Sequence, residues 1–173
     1  PPGAAAPLLS PEEPSEVFAL TDTDVEIIPG VEEPLRTQLT GLRDSYLAEV
    51  RRLPASDKPR QALLHLEIGR IDEENLGETD AALNHYKEAV AADPGLAAAL
   101  RAVRRHQLDR GDVPGALRSL DAEVRVCPDQ AQRAALFYEK GLLQLGKNDE
   151  RASEVSFRRA VELDATFLPA LAA

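Results

Sequence analysis

From residue 35 onward, apolar positions recur in threes and fours instead of twos. Leu35, Leu39, Leu42, Tyr46, Val50 and Leu53 fall on one side of a 3.6-residue helix. Pro34 suits the first turn of that helix and Pro54 its end, so a helix is predicted over 32–53. The next helix starts at Ser56 or Asp57 with Pro59 in its first turn, and runs to a turn at Gly77. A third, over 80–92, turns Ala82, Tyr86, Ala89 and Val90 inward. Helices over 96–109, 114–126, 130–145 and 149–163 follow, with Pro114 again in a first turn. Residues 166–173 (TFLPALAA) read as the opening of another. No β-rich stretch of useful length interrupts this series, and the predicted fold class is all-α.

The helices repeat. Pro94 and Pro128 lie 34 residues apart, and so do Gly77 and Gly111, Ala82 and Ala116, and Tyr86 and Leu120. A looser third copy places Phe157 and Ala160 where Tyr86 and Ala89 stood. That period belongs to antiparallel helix pairs stacked side by side. The repeats are read as about 59–94, 96–128 and 130–165 within a domain over 31–173. The helix over 32–53 is then a cap or the remnant of an earlier repeat.

These residues resemble tetratricopeptide (TPR) repeats. The family pattern asks for a small residue midway along the first helix, met by Gly69 and Gly141. It then asks for Ala, an aromatic and Ala on the second helix and a Pro five residues on, met by Ala82, Tyr86, Ala89 and Pro94. Two departures carry structural expectations. Gly69 to Gly77 is one residue longer than the family spacing, so the first helix of that repeat is expected to be extended or bulged. In the middle repeat Arg104 fills the small site and Glu123 the second Ala site, and the two are expected to compensate each other, since a lone buried charge is costly. The resemblance implies a right-handed α-solenoid whose concave groove binds a peptide or partner helix, and it implies no catalysis.

Charge divides the chain. The net charge is −10, and residues 1–35 hold eight acids and no Lys or Arg, while residues 36–173 hold 22 acids and all 20 bases. The repeat body is nearly neutral, which argues against nucleic-acid binding through a phosphate-neutralising surface. Residues 1–30 carry six of the thirteen prolines and little apolar content, and read as a disordered, acidic tail. Within it, residues 17–28 (VFALTDTDVEII) gather Phe18, Leu20, Val25, Ile27 and Ile28 among Asp22, Asp24 and Glu26. The plain reading of that stretch is a linker; the alternative is a docking segment that lies along the stack and competes with an external acidic ligand.

The remaining side chains offer little chemistry. Cys127 is the single cysteine, so no internal disulfide can form; a reducing compartment is compatible with this, and localisation does not follow. The chain has no Met, which reads as a fragment or processed product, and Arg outnumbers Lys in the manner of a bacterial protein. No stretch is long and apolar enough for membrane insertion. His65, His85 and His106 fall on three helices without metal-ligand spacing and are expected at the surface, as are the paired acids Glu73 and Glu74. No phosphate loop or nucleophile motif occurs, and neither cofactor, metal nor enzymatic activity is expected. Arg70, Arg101 and Arg105 are the candidate site. Arg101 and Arg105 are i,i+4 neighbours, and Arg70 falls at matching height on the preceding first helix, so all three can line the groove as a cradle for an acidic peptide. Two functions fit: a protein-interaction scaffold, or a regulatory or tethering region of a larger multidomain enzyme.

Overall fold

The computed structural model describes residues 32–165. The expected tail over 1–30 and the helix opening at 166 lie outside the described residues. Seven helices follow in order: α1 (Glu32–Arg52), α2 (Lys58–Arg70), α3 (Thr79–Ala92), α4 (Ala97–Asp109), α5 (Val113–Val126), α6 (Gln130–Leu145) and α7 (Glu150–Leu163). Their ends fall within one or two residues of the predicted ones, except that α2 stops at Arg70 and a separate helical segment carries the chain on to the predicted turn at Gly77. Pro59 and Pro114 stand in first turns, where a missing N–H costs nothing. Asp112, Asp129 and Asp149 cap α5, α6 and α7 by accepting from Gly115 N (2.9 Å), Gln132 N (2.7 Å) and Ala152 N (3.1 Å).

The helices pair as α2 with α3, α4 with α5 and α6 with α7, and the other extensive contacts among the described residues join each pair to the next and α1 to the first. This is the stacked solenoid of helix pairs that the repeat predicted, and not a bundle closing on one core. Within each outer pair a glycine admits an aromatic ring. A Cβ at Gly69 would stand 2.6 Å from Tyr86 Cε1, and one at Gly141 would stand 2.6 Å from Phe157 Cδ1. Tyr86 and Phe157 are buried there, with Ala82, Ala89 and Ala160 fully covered beside them.

The extra residue of the first repeat is absorbed at one place. After Arg70 the chain continues as a π-helical segment, Ile71–Leu76, before Gly77 turns with φ 71°. At the corresponding turns Gly111 (φ 72°) and Asn148 (φ 60°) do the same. The closing backbone bond reports the insertion directly. Asp112 N donates to Gln107 O and Asp149 N to Gln144 O, five residues back, whereas Glu78 N donates to Asp72 O, six back.

Helix α1 departs from expectation. It packs on α2 and the π segment, yet none of its described residues is buried. Of the six apolar positions on its apolar side, Leu35 and Leu42 are exposed. The periodicity identifies a helix with an apolar side; α2 and the π segment cover only part of that side. Polar links complete the attachment: Arg36 Nη2 donates to Leu76 O (3.3 Å), and Arg43 Nη1 lies 3.4 Å from Asp72 Oδ1 and 3.1 Å from Glu78 Oε2.

Candidate groove and its polar network

Arg70, Arg101 and Arg105 line a single cleft of about 570 Å³, whose apolar lining includes Leu66, Ala98, Ala102 and Leu108. Most of its wall comes from α2 and α4, with Glu139 of α6 at one end and Glu74 of the π segment at the other. The three guanidinium groups differ in what they already hold. Arg70 pairs with Glu67 at 2.9 Å on its own helix, and Arg105 pairs with Glu73. Arg101 makes no hydrogen bond or ion pair among the described residues, and Glu123 senses its charge through space. Arg101 also lines a neighbouring cleft of about 280 Å³ between α4 and α6, walled by Val126, Cys127, Pro128, Ala135 and Leu136. A third, of about 380 Å³, lies between Leu35 and Leu39 of α1 and Glu74 and Asn75 of the π segment.

Beside the groove the substituted repeat carries an ion triad. Arg104 Nε donates to Glu123 Oε1 at 2.6 Å and Arg104 Nη2 to Glu123 Oε2 at 3.3 Å, while Nη1 bonds Glu139. The Glu123 side chain is 3% exposed and that of Arg104 is 12% exposed. Burial pushes the Glu123 carboxyl up, against the pull of Arg104. The charge at the small-residue site and the charge at the second Ala site therefore answer each other, as the sequence predicted. Glu139 on α6 ties this pair to the next repeat.

The π segment holds two acids with partners inside the fold, Asp72 and Glu73, and of the pair Glu73 and Glu74 expected at the surface only Glu74 is exposed. Glu73 accepts from the Tyr86 hydroxyl (2.8 Å) and from Arg105, and its Oε1 stands 3.2 Å from His106 Nε2 without hydrogen-bond alignment. Burial, then the bond to Glu73, pushes the Tyr86 phenol up. Asp72 is buried, and burial pushes its carboxyl up against the opposing charges of Arg43 and His85.

The histidines also depart from expectation. His106 is 2% exposed against the Tyr86 ring, centroids 5.8 Å apart. His65 and His85 are half-buried and stacked, with their Nδ1 atoms 3.1 Å apart; His85 Nε2 faces Asp72 Oδ2 at 3.8 Å. Burial lowers the pKa of both rings. One signal for this site lay in the sequence. The positions of Asp72 and His85 are held by Gln107 and Ser119, and by Gln144 and Ser156, in the later repeats, where each Ser Oγ donates to its Gln (2.8 and 2.6 Å). The first repeat puts an ionisable pair where the others put a neutral one. Among the described residues no three His, Cys, Asp or Glu are grouped to hold a metal ion, and no helix is long and apolar enough to cross a membrane.

A stack of helix hairpins with glycine–aromatic contacts inside the pairs and a groove along their first helices is a TPR-like helical-repeat fold. Solved structures share it. A crystal structure of MamA superposes with a TM-score of 0.54 at 15% identity, over 81% of this chain and 78% of that one. The N-terminal domain of stress-induced protein-1 (STI-1) from C. elegans gives a TM-score of 0.57 at 14% identity, over 67% of this chain and 94% of that domain. Both are TPR-type repeat proteins, and at these identities the likeness concerns the fold. No family model and no curated protein sequence matches the chain.

Proposed function

We propose that this chain is a protein-interaction scaffold whose groove along α2, α4 and α6 takes an acidic peptide of a protein partner. The observation that carries this reading is the convergence of Arg70, Arg101 and Arg105 on one cleft that also has apolar lining, with Arg101 making no hydrogen bond or ion pair among the described residues. A guanidinium fork matches a carboxylate in two parallel hydrogen bonds, and the neighbouring apolar surface gives flanking side chains somewhere to go. Affinity in such a groove comes from a few such anchors and not from area.

The test is fluorescence anisotropy with a labelled peptide bearing acids between apolar residues. Arg101→Glu should weaken binding at least tenfold, while Arg118→Glu, an exposed arginine of α5 outside these clefts, should leave it unchanged. Equal affinity for the Arg101→Glu and native chains would overturn the groove assignment.

A further inference from the structure

The three clefts form a chain of their own. The α1 cleft and the arginine cleft share Glu74, and the arginine cleft and the α4–α6 cleft share Arg101. A ligand lying along them meets Leu35 and Leu39 between the polar Glu33, Arg36 and Asn75, then the guanidinium groups of Arg70, Arg105 and Arg101, with Asp109 and Glu139 in the same wall, then an apolar patch at Val126, Ala135 and Leu136. The matching ligand is an extended segment with a row of acids between apolar ends, all on one face.

The chain contains such a segment immediately before α1. In an extended conformation alternate residues share a face. Phe18, Leu20, Asp22, Asp24, Glu26 and Ile28 then form one row, in which three acids stand between two apolar residues on one side and one on the other. We propose that residues 18–28 occupy this chain's own groove as an extended strand. Ile28 sits at Leu35 and Leu39, the three acids run past Arg70, Arg105 and Arg101, and Leu20 and Phe18 reach the α4–α6 cleft.

Polarity and reach agree. Ile28 is four residues from Glu32, the first residue of α1, and four extended residues span up to ~14 Å, enough to fold back onto the adjacent α1 cleft. The ten residue steps from Ile28 to Phe18 extend about 33 Å at the strand rise. Leu35 is exposed in the described structure and gains a cover. The charge split supplies the complementarity, since residues 1–30 hold six acids and no Lys or Arg. Tethering sets a local concentration of roughly millimolar, so a weak site is filled without tight contacts. The groove is thereby self-covered, and an external acidic partner binds by displacing the strand.

This inference rests on the groove reading above, and the experiment separates the two. The full-length chain and its Asp22→Asn, Asp24→Asn, Glu26→Gln variant are titrated against a labelled synthetic peptide of residues 17–28 at low ionic strength. The variant should bind the peptide about tenfold more tightly than the native chain, as expected when a roughly millimolar tethered competitor of sub-millimolar affinity is removed. Arg101→Glu in the variant background should abolish that binding. Equal affinities for native chain and variant, both dependent on Arg101, would overturn the self-covered groove and leave the peptide groove standing. No binding to the variant would overturn both. An affinity ratio that rises with protein concentration would overturn the intramolecular form, because the competing strand would then come from a second copy.

Discussion

At the scale of single residues, the deciding comparison is between a buried charge that is answered and one that is not. Arg104→Ala leaves the Glu123 carboxylate 3% exposed and without its fork, which should cost roughly 3–5 kcal/mol. Replacing Arg104 and Glu123 together with Ala should cost less than Arg104→Ala alone, because no orphan charge remains. Urea denaturation of Arg104→Ala, Glu123→Ala and the double variant checks this, and strictly additive losses would contradict the coupling. Tyr86→Ala removes a ring that is 1% exposed and seated on Gly69, and it strips Glu73 of a donor. A loss of about 3–5 kcal/mol is expected. Both sites could be found by spacing alone, since a charge at a position reserved for glycine is visible without coordinates. Glu73 and His106 could not. An acid and a histidine in helix-forming surroundings have the chemistry of a wet surface, and only the stacking of one hairpin on the next brings them together.

At the scale of elements, the first hairpin differs from the other two in what holds its helices together. Its polar contact is ionisable: His65 and His85 face each other across α2 and α3 with Asp72 behind, Arg43 and Glu78 reaching in from α1 and the turn, and Glu88 on α3 acting on both rings. Folding lowers the pKa of both imidazoles from the ordinary 6.5, so below that value the unfolded chain binds more protons than the folded one. The contribution of the pair is therefore full above pH 6.5 and is lost as pH falls from there through the lowered folded values. Asp72 has the opposite sign, since its raised pKa favours the folded state on acidification and offsets part of that loss. Chemical denaturation at pH 7.5 and 5.5 should show a lower midpoint at pH 5.5. The double substitution Asp72→Gln, His85→Ser, which installs the pair used by the later repeats, should flatten that difference; an unchanged pH dependence would place its origin elsewhere. Helix ends, the hairpin pairing and the extra residue between Gly69 and Gly77 were all legible, because turns and caps are written locally. What covers the outer side of α1 was not, since an apolar stripe specifies that a face is buried without specifying by what.

At the scale of the whole molecule, the extensive contacts of each hairpin among the described residues are with its neighbours, so stability is a sum of hairpin terms and junction terms. The junctions carry fewer links than the hairpins: Glu139 joins α6 to Arg104, Lys140 joins it to Asp121 at 2.6 Å, and Arg133 donates to Cys127 O at 2.6 Å. Opening at one end need not open the other, and hydrogen exchange should show α6–α7 and α2–α3 with separate protection. A strand seated across α1, α2, α4 and α6 would change that. Because it would touch several hairpins at once, its release would require them to part together, and it would behave as a splint. An occupied groove would then unfold as one cooperative body and an emptied one in segments, so that a partner displacing the strand would be trading one splint for another.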